Sequence, residues 1–133
     1  MKKVSFDFDD TLSFESTQEY AKKLINEGIE VHITTSRFED LKHYLPVVYP
    51  DGHTDLFKVA KELNIPKENI HFTNFIDKSE FLKDTDFIWH LDDNYIEILT
   101  INRDTKCKGI YLLGGEYDFL CNKLLGLTHL NEF

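Results

Sequence analysis

Cysteine is scarce in this sequence: Cys107 and Cys121 are the whole supply. Two thiols that far along the chain cannot build the disulfide framework of a small secreted domain, so two reduced cysteines in a cytoplasmic protein are expected. No uninterrupted apolar run approaches the roughly 20 residues that a membrane-spanning helix needs, and the N-terminal stretch has no apolar signal-peptide core. Metal-ligand spacing of the zinc type is also missing. His32, His43, His53, His71, His90 and His129 have no HxxxH or CxxC companion, which argues against zinc. A GxxxxGK[ST] phosphate loop does not occur, which rejects P-loop nucleotide binding. Basic residues are in the minority, 15 against 24 acidic, and the resulting net charge of −9 disfavours tight binding to a nucleic-acid backbone.

What is present suffices for a packed core. The chain has 133 residues, of which 41% are hydrophobic and 14% aromatic, so disorder is excluded and a single domain over residues 1–133 is expected. Strand and helix patterns take turns along it. Strands are expected over Val4–Phe8, Ile29–Thr34, Asn69–Thr73, Asp86–Leu91 and Gly109–Leu113. Helices are expected over Ser16–Glu27, Thr54–Leu63, Ser79–Lys83, Tyr95–Ile101 and Tyr117–Leu125, with Gly28 stopping the first, and Asn64 and Pro66 the second. This alternation predicts a three-layer α/β/α Rossmann-like domain with a mainly parallel five-stranded sheet. The least regular part, Phe38–Gly52, contains Pro46 and Pro50 and is expected to be a surface loop or lid.

The stretch FDFDDTL raises a chemical question, because Asp7, Asp9 and Asp10 crowd together behind an apolar strand. Two unit charges about 4 Å apart repel by roughly 4 kcal/mol at an effective dielectric near 20. Ligands of open parallel sheets bind outside the carboxyl ends of the strands. Asp7 and Asp9 end the first strand, Thr35 ends the second, Asp92 and Asp93 follow the fourth, and Lys78 opens the helix before it. Taken singly each has an ordinary explanation: a turn or helix cap for the acids, a solvated surface position for the lysine. Brought to one edge, they supply carboxylates for a hard divalent cation, a hydroxyl donor and a fixed positive charge.

These segments resemble the four motifs of the haloacid dehalogenase superfamily, in family order. DFDDTL (Asp7–Leu12) fits the first motif, DxDxT[LV]. VHITTSR (Val31–Arg37) resembles the second, with Thr35 in register and Thr34 as the alternative. DKSEFL (Asp77–Leu82) is similar to the third through Lys78, and FIWHLDDN (Phe87–Asn94) to the acidic fourth. The resemblance implies a phosphatase that hydrolyses a phosphomonoester through an aspartyl-phosphate, with Asp7 as nucleophile and Asp9 as general acid and base. It implies Mg²⁺ held by the Asp7 carboxylate, the Asp9 backbone carbonyl and a fourth-motif acid. Asp92 is the favoured ligand and Asp93 a supporting or water-mediated contact. Thr35 and Lys78 would hold the phosphoryl oxygens.

Other residues near these motifs have plainer expectations. Asp10 is expected to face solvent or cap the following turn, and Glu97 to lie on a solvated helix face in preference to supporting a metal. Arg37 is expected to reach a substrate phosphate or to pair with Glu39 or Asp40, and His32 and His90 to be buried neighbours of the site. The gaps after the first and third strands are too short for a cap domain, so a capless member is expected, its site open to large substrates or lidded by a partner subunit in a homo-oligomer. Two other classes stay open at this point. One is a non-catalytic binding or regulatory protein on the same fold. The other is a receiver-like phosphoacceptor domain, which uses a similar inventory in a different chain order.

Overall fold

The computed structural model describes residues 1–40 and 52–132. Among these residues the elements run β1 (Lys3–Phe6), α1 (Glu15–Asn26), β2 (Glu30–Thr35), α2 (Thr54–Glu62), β3 (Ile70–Phe72), α3 (Lys78–Leu82), β4 (Trp89–Asp92), α4 (Tyr95–Asp104), β5 (Lys108–Tyr111) and α5 (Tyr117–Leu124). The strands form one sheet in the order β3-β2-β1-β4-β5, with every pairing parallel. The chain winds outward from β1 to β3, then returns across the sheet to β4. That reversal leaves a crevice between the carboxyl ends of β1 and β4, the place where open α/β sheets bind ligands. Only the turn Phe8–Leu12 separates β1 from the approach to α1, and residues 73–77 separate β3 from α3, so neither connection holds a cap domain. Most of the expected loop Phe38–Gly52 lies outside the described residues, as does His43.

The two faces of the sheet differ in chemistry, and period-two alternation is the cause. Val4, Phe6, Val31, Ile33, Trp89, Leu91 and Ile110 point one way and form the main core with residues of α1, α2 and α5, such as Leu24, Leu56 and Cys121. Phe6 meets Trp89 edge to face with ring centroids 5.4 Å apart, a favoured aromatic geometry. The residues between them, Ser5, His32, Thr34, His71 and His90, share the other face, where Ser5 stands in register with both His32 and His90. Helices α3 and α4 cover that side. Phe81 of α3 packs on His71 with centroids 4.6 Å apart, and Phe81, Leu82, Phe87, Ile101 and Cys107 form a second, smaller cluster. Both cysteines are free and buried.

Local signals explain the element ends. Gly28 adopts φ +85° at the end of α1, where its N–H donates to Ile25 O and that of Ile29 to Leu24 O, the paired bonds of a Schellman stop. Asn94 caps α4 by accepting from the N–H groups of Ile96 and Glu97. Gly109 permits a close approach of helix to strand. A Cβ there would come within 3.2 Å of the Ile98 carbonyl oxygen, where α4 crosses β5. The first strand ends earlier than its apolar pattern suggests, at Phe6. Asp7 still donates its N–H to Leu91 O at 2.9 Å, but the chain then turns through Asp10 at φ +57°.

The polar face carries a pH-sensitive histidine, His71, which is hydrogen-bonded to His32. His32 Nε2 lies 2.6 Å from a Glu30 carboxylate oxygen, which can only accept, so its Nδ1 accepts from His71 Nε2 at 2.9 Å. Burial first, and the neighbouring His32 second, push the His71 imidazole down to about 4 from the ordinary 6.5. The folded protein thus binds this proton more weakly than the unfolded chain. The stability it contributes is complete above pH 6.5 and is lost as pH falls from there through about 4. Burial also lowers His90, which acts in the same direction. Denaturant midpoints measured between pH 7 and pH 4 are expected to fall steeply for the wild type and less steeply for His71→Gln. Parallel curves would contradict this account of the pair.

Candidate active site

The site begins with Lys78, the first residue of α3, whose side chain is only 2% exposed. A solvated lysine is the ordinary expectation for such a position, and here the structure overturns it. The Lys78 ammonium lies 2.7 Å from Asp7 Oδ1 at the end of β1 and 2.6 Å from Asp92 Oδ2 at the end of β4. It therefore spans the crevice between the two strands. Its backbone N–H donates to Glu97 Oε2 at 3.1 Å, so Glu97 of α4 anchors the start of α3. Glu97 is half-buried, and burial raises its carboxyl above the usual range, a correction to the solvated face expected from sequence.

One ammonium cannot fully compensate two buried carboxylates, and the surroundings shift the two in opposite directions. Burial disfavours ionisation of Asp92, but the His90 hydrogen bond and the Lys78 charge outweigh it and hold the group below the ordinary carboxylate range. His90 Nε2 donates to Asp92 Oδ2 at 2.8 Å, which leaves Nδ1 to accept from the Ser5 hydroxyl at 2.9 Å. Ser5 Oγ in turn lies 2.7 Å from Thr34 Oγ1. A buried chain from Thr34 through Ser5 and His90 thus ends on Asp92. Asp7 has, in place of such a chain, a Thr11 hydroxyl that it shares with Asp93. Burial and the adjacent Asp92 raise its carboxyl well above the usual range, with Lys78 pulling the other way. Lys78 itself stays protonated, because the two carboxylates outweigh its burial and push it up to about 12.

Asp93 completes the cluster. One carboxylate oxygen each from Asp7, Asp92 and Asp93 lie within 4.8 Å of one another. The Thr11 hydroxyl sits between two of them, 3.2 Å from Asp7 Oδ2 and 3.3 Å from Asp93 Oδ1, with a single proton to give. This is an all-oxygen, strongly anionic donor set, the kind that suits a hard divalent cation such as Mg²⁺. The Asp9 carboxylate is held elsewhere: its two oxygens accept from Arg37 Nε and Nη2 at 3.0 and 2.7 Å. Arg37, buried after β2, also makes a bidentate pair with Asp55 of α2, at 3.0 and 2.9 Å. Sequence reasoning paired Arg37 with Glu39, Asp40 or a phosphate and did not connect it to Asp9 or Asp55. Asp10 is exposed, as expected.

Of the two threonines proposed for phosphate binding, Thr34 and Thr35 are both fully buried and serve differently. The Thr34 hydroxyl belongs to the chain that supports Asp92. Thr35 Oγ1 accepts from the Arg37 N–H at 3.3 Å, and among the described residues its own proton goes to no other group. Beside β2 the rim is apolar. Phe75 and Ile76 are 62% and 60% exposed on the turn after β3, tied to the loop after β2 by Phe75 N–H donating to Ser36 O at 2.8 Å. His90 is a buried neighbour of the site, as expected, while Ser5 is the support that sequence reasoning missed and Glu97 the one it misjudged. Polar residues at every second position of KVSFD are the signal that could have found Ser5. No protein-family model matches this chain, and no curated protein matches it.

Proposed function

We propose that the protein is a Mg²⁺-dependent phosphatase of the haloacid dehalogenase type, hydrolysing phosphomonoesters through an aspartyl-phosphate on Asp7. The observation that carries this reading is the buried Lys78 ammonium held between Asp7 and Asp92 at the strand-order reversal, with Asp93 beside them. A structural ion pair rarely sets a second and third carboxylate against one lysine, since removing charges from water costs several kcal/mol per ion. A site built to receive both a cation and a phosphate would account for that arrangement. The order of the four motifs along the chain supports the same reading. Asp7, Asp92 and Asp93 would hold the magnesium through carboxylate oxygens, with the Asp9 carbonyl as the further ligand the resemblance implies. Bound there, the ion would supply positive charge that offsets the carboxylates and the incoming phosphate.

The chain's own groups account for the proton and bond changes. The Asp7 carboxylate attacks phosphorus and the bond to the leaving oxygen breaks, while Asp9 gives that oxygen its proton. Asp9, now a carboxylate, takes a proton from water whose oxygen attacks phosphorus. The phosphorus–Asp7 bond breaks, phosphate leaves, and both side chains return to their starting state. Lys78 and the Thr35 hydroxyl would bind the phosphoryl oxygens as charge develops on them. A nucleotide, a sugar phosphate, a nucleic-acid end and a phosphoprotein all carry the required group, and the net charge of −9 disfavours long polyanions.

The test is release of inorganic phosphate from a panel of phosphate esters, with Mg²⁺ and with EDTA, by wild type and by Asp9→Asn. Hydrolysis that needs Mg²⁺ and falls by about 10²–10⁴-fold in Asp9→Asn, the usual range for losing a general acid and base, is the expected result. No release from any ester would remove the phosphatase reading. A stable aspartyl-phosphate in the wild type would favour the phosphoacceptor instead.

A further inference from the structure

Arg37 is the most completely specified side chain near the site that the proposed chemistry does not use. A guanidinium has five N–H donors in a rigid fork. Nε and Nη2 donate to the two Asp9 oxygens at 3.0 and 2.7 Å, and Nη1 and Nη2 to the two Asp55 oxygens at 3.0 and 2.9 Å. The fifth goes from Nη1 to His53 Nδ1 at 3.3 Å. His53 can take it, because its Nε2 donates to the Phe38 carbonyl oxygen at 2.8 Å and leaves Nδ1 bare. The guanidinium also stands 5.2 Å from the centre of the Phe8 ring, within cation–π range. Position, tilt and rotation of the group are all set.

The two carboxylates it holds are unlike in kind. The Asp55 side chain is 58% exposed on the first turn of α2, while Arg37 itself is 2% exposed. Asp9, at 45% exposed, lies on the irregular turn after β1, where its own backbone leaves the helical region at ψ 127°. A short side chain on an irregular, half-open turn has several rotamers to choose from, and the fork selects one. Each Asp9 oxygen has a second lone pair beyond the one Arg37 occupies, and one of these can carry the proton given to the leaving oxygen and later taken from water.

We propose that Arg37 is the positioning residue for Asp9, with Asp55 and His53 as the struts that keep its fork aimed. This rests on the reading of Asp9 as the general acid and base. Arg37 has no donor left over for a substrate phosphate, so its contribution falls on the proton-transfer steps and not on substrate affinity. A misplacement of about 1 Å at a reacting group can cost about 10²-fold in rate. Lysine cannot replace the fork, since it is a point charge without the bidentate geometry.

The experiment measures kcat and KM for the best phosphate ester with wild type, Arg37→Lys, Arg37→Ala and Asp55→Asn, with thermal melts as a check on folding. The expected result is a kcat lower by about 10²-fold in Arg37→Lys with KM within about threefold, and a smaller fall in Asp55→Asn. Added guanidinium ion at low millimolar concentration is expected to restore part of kcat in Arg37→Ala and to leave Asp9→Asn unchanged. Unchanged kcat in folded Arg37→Lys and folded Asp55→Asn overturns the proposal while the phosphatase reading stands. A rise in KM at constant kcat also overturns it, because Arg37 would then be a substrate ligand. A wild type that hydrolyses no ester is the separate signature of failure of the phosphatase reading, and the proposal fails with it.

Discussion

Asp7→Asn is expected to abolish turnover and, in the absence of metal, to raise the melting temperature. The first effect follows from the chemistry, since asparagine keeps the size of the side chain and removes the attacking anion. The loss should reach several orders of magnitude, as it does when other enzymes lose their nucleophile. The second effect follows from the electrostatics. Burial and Asp92 raise the Asp7 carboxyl well above its ordinary value of 3.8, so the folded state binds that proton more tightly than the unfolded chain. The sign is then fixed. The group's stabilisation is complete below pH 3.8, fades as pH rises through the raised value, and leaves the ionised group a burden on the fold beyond it. Asparagine removes the burden, for a gain of about 1 kcal/mol, or roughly 3–5 °C in a domain of this size. Activity and stability would thus move in opposite directions at one residue. A folded Asp7→Asn protein that melts lower than wild type without metal would mean that Lys78 overcompensates the pair.

Lys78→Met should do the reverse and give the largest stability loss in the site. Its side chain is buried between Asp7 and Asp92, and methionine preserves the apolar stem while leaving two carboxylates with no cation between them. Breaking a buried ion pair from one side costs about 3–5 kcal/mol, and here two partners are stranded. The penalty should shrink as the solution is acidified, because protonating Asp7 removes one of the two stranded charges. Magnesium should restore part of it by binding the native state, by about 2.7 kcal/mol at a hundredfold excess over Kd. The measurement is a chemical melt of wild type and Lys78→Met at pH 7 and pH 5, with and without Mg²⁺. A loss below about 1 kcal/mol at pH 7 would place Lys78 among ordinary surface pairs.

The fold was legible because helix and strand periods alternate cleanly along the chain. The five strands, the parallel sheet and the lack of room for a cap domain follow from that pattern, while strand ends shift by one to three residues where turn chemistry takes over, as at Asp7. The carboxyl-edge convergence of Asp7, Lys78, Asp92 and Asp93 was legible for the same reason: strand ends in a parallel sheet share an edge. What lay beyond reach were contacts set by rotamers and by chain segments distant in sequence. Arg37 and Asp55 are 18 residues apart, and Arg37 and Asp9 are 28 apart, with no local pattern to join them. Glu97 looked like one more acid on an amphipathic helix, and only the packing of α3 against α4 turns it toward the Lys78 N–H. Ser5 and His90 lay within reach, since their alternation with core residues already puts them on the face opposite Val4 and Phe6.

Trapping the covalent intermediate tests the central claim most directly. Protein quenched during Mg²⁺-dependent turnover of an active ester would be treated with borohydride, which reduces an aspartyl-phosphate to homoserine, and digested for peptide mass spectrometry. The account predicts homoserine at position 7, absent without ester and absent in Asp7→Asn. Hydrolysis at full rate with an unmodified Asp7, or homoserine at position 92 or 93 instead, would contradict it.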